Sequence, residues 1–198
     1  MSRLKHEQWW ETHVVNGKYY TIDQFKKITG DKDSRRAYLE IVSNGDKVLD
    51  VGCGLGLDFE YYNKNGVSVV FVGLDVTFGF ISFNSTNYQD ANFINGKCYE
   101  LPFKNKVFDV CTCRHLLEHV ADPIKTIKEM CRVANQVAII WFIPPGDTEK
   151  IRLTRKGFYK NIYKKNILIN KINNFGASVE IKDISLEGKN HQLWKLTQ

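Results

Sequence analysis

The nonapeptide Val48-Leu-Asp50-Val-Gly52-Cys-Gly54-Leu-Gly56 closes a short apolar run with three alternating glycines. The residues that follow, Leu57 to Asn65, have the length of a helix and are stopped by Gly66. A strand that turns into a helix through a loop without side chains lets the backbone approach a ligand closely. It also leaves the first N–H groups of the helix free to meet that ligand. The spacing excludes two common ligand classes. A dinucleotide fingerprint needs G-x-G-x-x-G, but counted from Gly52 its third position is Leu57, and counted from Gly54 it is Phe59. A P-loop needs Gly-Lys-Ser/Thr at its end, which is missing.

Downstream, Val67-Ser-Val-Val-Phe-Val-Gly-Leu74 is a continuous β-branched run of the kind a buried parallel strand shows. The pattern then predicts a helix at Phe78–Asn87, strands at Asn92–Asn95 and Val107–Thr112, a helix at Pro123–Val133 with proline in its first turn, and a strand at Gln136–Ile143. Gly157–Phe175 reads as a helix with Phe158, Ile162, Ile169 and Ile172 on one face, and Ser178–Ile184 and His191–Leu196 read as closing strands. Upstream, residues 1–43 read as helices, with Asp33 and Ser34 as N-caps. Repeated βα units imply a doubly wound α/β fold: a mostly parallel seven-stranded sheet, helices on both faces, and a C-terminal antiparallel hairpin. The expectation is one domain over 1–198, with a helical lid over 1–45 and an α/β core over 46–198.

A chain of 198 residues suits one domain, since domains run to about 100–200 residues. Hydrophobic residues at 43% and charged residues at 25% exclude a disordered, collagen-like or coiled-coil chain. The apolar run that starts at Gln136 ends at Pro144-Pro145, short of the roughly 18–20 residues a membrane span needs. The first ten residues hold basic groups but no apolar stretch of a secretion signal, so a cytoplasmic protein without a membrane partner is expected. Five cysteines without a C-x-x-C pair read as free thiols. Cys111 and Cys113 would leave one strand face about 7 Å apart, too far for a disulfide.

Net charge is uneven. Residues 150–198 hold 11 Lys/Arg against 3 Asp/Glu, or +8, while residues 1–149 hold 17 against 19, or −2. Arg155, Lys156, Tyr159, Lys160, Tyr163, Lys164 and Lys165 interleave bases with aromatics, a pattern that suits RNA, although a solvated helix face is the commoner origin.

The Asp50-x-Gly52-x-Gly54-x-Gly56 loop resembles the first motif of the class I methyltransferases that use S-adenosylmethionine, specifically the type 11-like domain. Further pieces follow in the family's order: Asp75 at the end of the second strand, Glu100-Leu-Pro-Phe103 with Val107-Phe-Asp-Val110, and Leu116-Leu-Glu-His-Val-Ala-Asp-Pro123 with Glu129-Met-Cys-Arg-Val133. The resemblance implies S-adenosylmethionine as cofactor, held by Asp50, Gly52, Cys53 and Gly54 in the loop. It implies that Asp75 takes the ribose hydroxyls with Val76 beside it, and that Cys98, Tyr99 and Cys113 flank the rest. It implies methyl transfer to a small-molecule acceptor. The alternatives are an RNA or protein acceptor met by the basic C-terminal region, or a non-catalytic cofactor-binding subunit. The sequence departs from the family at Lys97, where an acidic residue often receives the adenine amino group, which leaves the backbone of Cys98 and Tyr99, or Glu100, to hold the base. It departs again at Asn135-Gln136, where the family has Gly-Gly.

Methyl transfer from a sulfonium is an in-line displacement with a neutral leaving group, so the protein supplies alignment and exclusion of water. A base is needed when the accepting atom carries a proton. His115 and His119 are the catalytic candidates, because they follow the fourth strand at the carboxyl edge where open α/β sheets bind ligands. The run His115-Leu-Leu-Glu118-His119 also resembles the E-x-x-E-H metal motif of ubiquinone-type O-methyltransferases and small-RNA 2′-O-methyltransferases, with His115 replacing the first glutamate. A packed, structural histidine is the third reading of His119, and no metal is assigned. Trp9, Trp10, Tyr19 and Tyr20 either form an aromatic lid over the site or anchor the N-terminal helices to the sheet.

Overall fold

Successive residues of the central strands go to opposite faces of one sheet, and both faces are buried. The computed structural model describes residues 9–15, 21–29, 33–154, 157–184 and 190–198. Seven strands lie in the order β3-β2-β1-β4-β5-β7-β6: β1 (Lys47–Val51), β2 (Val70–Asp75), β3 (Asn92–Asn95), β4 (Phe108–Arg114), β5 (Ala134–Trp141), β6 (Ser178–Asp183) and β7 (Gln192–Thr197). The first five are parallel, and β7 runs antiparallel between β5 and β6. Val48, Val110, Ala138 and Ile140 pack on one side with Tyr38, Phe59 and Tyr62. Their neighbours Leu49, Cys111, Ile139 and Trp141 pack on the other with Ile127, Met130 and Ile172. This period of two, with apolar residues in both phases, is why the strands read as continuous runs.

Helices α1 (Glu11–Val15, a π-helical turn), α2 (Ile22–Thr29) and α3 (Asp33–Arg36, continued by a 3-10 turn at Ala37–Glu40) precede the sheet. Four more connect its strands: α4 (Leu57–Lys64), α5 (Phe78–Asn87), α6 (Pro123–Val133) and α7 (Lys165–Asn173). The start of α6 follows from its sequence: the Asp122 carboxylate accepts hydrogen bonds from the N–H groups of Ile124 and Lys125, with Pro123 at the position where no N–H is needed.

Two expectations are corrected. Val67–Val69 do not belong to β2, because β1 begins opposite Val70 and the residues before it close a turn, with Gly45 N–H bonded to Ser68 O and Ser68 N–H bonded to Asn44 Oδ1. The helix predicted over Gly157–Phe175 starts only at Lys165. Its first part is the return arm of an irregular hairpin, bridged at Lys150–Ile162 and Leu153–Tyr159, with Gly157 at φ +93° near the tip. Lys160 and Lys164 are exposed on that arm while Tyr163 is buried, so no continuous basic-aromatic helix face exists there. Arg155, Lys156, Tyr19 and Tyr20 lie outside the described residues. Among the described residues, no helix is long and apolar enough to cross a membrane.

Candidate functional site

The chain leaves β1 toward β2 and β3 on one side and toward β4 and β5 on the other, so the sheet's topological switch point lies between β1 and β4. Open α/β sheets bind ligands at the carboxyl ends of strands at such a point. Here a cavity of about 340 Å³ opens there, over Gly52, Cys53 and Gly54 and beside Asp75. A smaller cavity of about 130 Å³ adjoins it, lined by Val76, Lys97, Cys98, Tyr99 and Leu116.

The glycine loop is shaped by left-handed backbone, at φ +77° for Gly52 and +51° for Gly54. At Gly52 a Cβ would lie 3.0 Å from Leu116, which lines both cavities, so this glycine permits close packing. At Gly54 a Cβ would meet nothing within 4 Å, so this backbone faces open space in the cavity. A ligand can approach the chain there without meeting a side chain. Two side chains brace the loop: the Asp75 carboxylate accepts from Gly54 N–H at 3.0 Å, and buried Asn84 donates to Gly54 O at 2.8 Å. Asp75 also accepts from Thr77 N–H at 2.8 Å. Burial raises its carboxyl above the ordinary carboxylate range, against the opposing effect of these backbone hydrogen bonds.

Two predicted ligand residues line neither cavity. Cys113 is fully buried in the core. Asp50 is 2% exposed beneath the loop and accepts from Thr112 Oγ1 at 3.2 Å. Burial, reinforced by the neighbouring Asp58 charge, pushes its carboxyl well up, while Arg114 pulls the other way. A carboxyl raised on folding stabilises the fold at low pH and loses that contribution as pH rises through its folded pKa. The unfolding free energy of Asp50→Asn should therefore gain on that of the wild type between pH 5 and pH 8 in urea titrations. An equal difference at both pH values would mean that Asp50 has the same charge in folded and unfolded chains.

The sequence did not point to Arg35, Asp58 and Arg114. Asp58, in the first turn of α4, is a 5% exposed side chain whose Oδ1 receives Arg35 Nε at 2.5 Å and Arg114 Nε at 3.2 Å. Burial alone would raise this carboxyl, but the two guanidinium groups hold it below the ordinary carboxylate range. Both arginines line the large cavity, so two cations that share one carboxylate face the ligand space. The one available signal was Arg114 at the carboxyl end of β4, since nothing in a single sequence pairs residues 35, 58 and 114.

His115 and His119 both line the large cavity. His115 has φ +54°, and its ring lies 5.1 Å from that of Phe142 and 5.5 Å from that of His191. His119 Nδ1 lies 2.7 Å from Tyr159 O. A carbonyl only accepts, so Nδ1 carries the hydrogen and Nε2 keeps the lone pair of the neutral ring. Glu118 does not join them: its Oε1 accepts from the N–H groups of Phe142 and Ile143, at 2.6 and 3.0 Å, and ties the end of β5 to this turn. Among the described residues, no three His, Cys, Asp or Glu side chains gather as a metal site. Trp10 and Phe25, 5.9 Å apart, bring the N-terminal segment over the cavity, and Trp10 stands 5.6 Å from the His119 ring. Glu100 is exposed and lines neither cavity.

This sheet order with its glycine loop and the acid at the end of β2 defines a class I methyltransferase fold. Residues 49–142, just under half of the chain, match the family described as a methyltransferase domain. It is 37% identical over 121 residues to a demethylmenaquinone methyltransferase of Paenarthrobacter aurescens, covering 60% of this chain and 47% of that protein. It is 39% identical over 99 residues to a ubiquinone biosynthesis O-methyltransferase of Coxiella burnetii, covering 48% and 42%. The chain thus spans less than half the length of these relatives. A magnesium protoporphyrin IX methyltransferase from Synechocystis, solved with bound SAH, shares the fold with a TM-score of 0.65 at 16% identity, over 90% of this chain and 88% of that one.

Proposed function

We propose that this domain binds S-adenosylmethionine at the β1–β4 switch point and transfers its methyl group to a hydroxyl of a small aromatic acceptor. The observation that carries the proposal is the open backbone at Gly54, set between the Asp75 carboxylate and the Arg35–Asp58–Arg114 cluster. These features suit the cofactor's polar groups: Asp75 the ribose hydroxyls, the two guanidiniums the amino-acid carboxylate, and the apolar walls at Val76 and Leu116 the adenine ring. Bound there, the sulfonium supplies a methyl group with a neutral leaving group. The chain's own part is alignment, exclusion of water and removal of one proton. Trp10 and Phe25 act as the lid, with Phe80 and Ile28 extending the apolar wall that an aromatic acceptor would meet. His119 Nε2 takes the hydroxyl proton while Nδ1 stays bonded to Tyr159 O. The names of the two curated relatives, both tied to quinones and one to O-methylation, support a hydroxylated ring as acceptor.

Calorimetric titration with S-adenosylmethionine and with its demethylated product tests the first half. Both should bind, and Asp75→Ala should weaken both by about 1–3 kcal/mol as charge-assisted hydrogen bonds are lost. Because Asp75 also braces Gly54, Asp75→Asn is the informative companion: it can keep only part of that network and should fall between wild type and alanine. No binding by the wild type, or unchanged affinity in Asp75→Ala, would overturn the assignment.

A further inference from the structure

The turn that carries His119 is held from outside the sheet. Leu117–His119 form one 3-10 turn after β4, and the backbone carbonyls around it are met by the return arm of the 150–162 hairpin. Asn161, fully buried, makes the central set of bonds. Its N–H donates to Glu118 O at 2.9 Å, its Nδ2 donates to Val120 O at 2.7 Å and to Tyr163 Oη at 2.9 Å, and its Oδ1 accepts from Arg152 N–H at 3.0 Å. These partners fix which end of the amide is which. The Tyr163 hydroxyl lies 2.8 Å from Leu117 O and 3.0 Å from Val120 O. Two residues before Asn161, the carbonyl of Tyr159 receives His119 Nδ1–H.

We infer that Asn161 is the positioning residue of His119: it pins the hairpin arm to the 117–120 turn, so that the Tyr159 carbonyl sits at Nδ1 and keeps the lone pair on Nε2. Its use in catalysis rests on the proposed role of His119, but the positioning does not. A polar side chain buried to this degree is costly unless its groups are bonded. The side-chain bonds of Asn161 and Tyr163 join the hairpin arm to itself or to the 117–120 turn, which sends His119 into the cavity. A backbone carbonyl is the partner that sets a tautomer without itself titrating, because the ring nitrogen opposite a fixed acceptor must bear the hydrogen. The neutral side chain of a free histidine favours the hydrogen on Nε2, the reverse of what proton abstraction through Nε2 needs.

The test reads the tautomer directly and needs no acceptor. Full-length protein labelled with ¹⁵N-histidine is recorded at pH 8, and His119 is assigned by the signals lost in His119→Gln. The wild type should show His119 with hydrogen on Nδ1. In Asn161→Ala the Nε2–H form should become the major one. Tyr163→Phe, which keeps the ring and removes only the hydroxyl, should shift the balance the same way by less, and it decides the matter alone where Asn161→Ala does not fold. A wild-type tautomer in folded Asn161→Ala, or in Tyr163→Phe when only that variant folds, would overturn the inference. Failure of the catalytic reading would appear elsewhere, as undiminished turnover in His119→Gln with this tautomer result intact.

Discussion

Asp58→Ala is expected to lower the unfolding free energy by about 3–5 kcal/mol, read as an earlier midpoint in urea titration, because it removes the enclosed carboxylate that two guanidinium groups share. The size follows from the arrangement: Arg35 is 2% exposed, the Arg114 side chain is 11% exposed, and both donate to the same carboxylate oxygen. A buried ion pair is weak evidence of a need for stability, since well-packed apolar residues of like volume often serve as well or better. The triple variant Arg35→Met, Asp58→Leu, Arg114→Leu separates the two explanations. If the cluster exists to face an anion in the cavity, the triple variant should recover most of the stability lost in Asp58→Ala while its affinity for S-adenosylhomocysteine falls more than tenfold. Affinity retained in a stable triple variant would make the cluster a structural device only.

What the sequence showed depends on the range over which each decision was made. The β1 loop and α6 are local: glycines that need positive φ, and an Asp122-Pro123 start that satisfies its own N–H groups, behave alike in isolation and in the fold. The buried strands were legible because apolar residues occupy both phases of the period. The hairpin was not, because Phe158, Ile162, Ile169 and Ile172 fit a helical period while the outcome was settled by partners far away. Asn161 and Tyr163 are captured by carbonyls some 40 residues earlier in the chain. Phe158 serves the cavity side, 5.8 Å from the His119 ring, and only Ile169 and Ile172 lie on α7. The same holds for the site. Asp75 and His119 were legible from their places after strands, whereas Arg35 and Asp58 meet only once α3 and α4 lie on one face of the sheet.

The histidine carries the other large effect. His119→Ala should lower the turnover number by about 10²–10⁴-fold, the range for loss of a positioned general base, while affinity for S-adenosylhomocysteine stays within about threefold. Transfer of labelled methyl from S-adenosylmethionine to a panel of simple hydroxylated aromatics measures it. The two readouts part because His119 stands where the lid meets the cavity, 5.6 Å from the Trp10 ring, whereas the groups suited to the cofactor's polar parts lie on β2, α3 and β4. Two results would assign His119 differently. Equal losses of turnover and cofactor affinity would make it a packing residue of the lid. Turnover abolished by a chelator and restored by zinc or manganese would bring back the metal reading of His115, Glu118 and His119. Glu118 already accepts the N–H groups of Phe142 and Ile143 on Oε1, which hold the end of β5 against this turn. The expected result with a chelator is unchanged turnover.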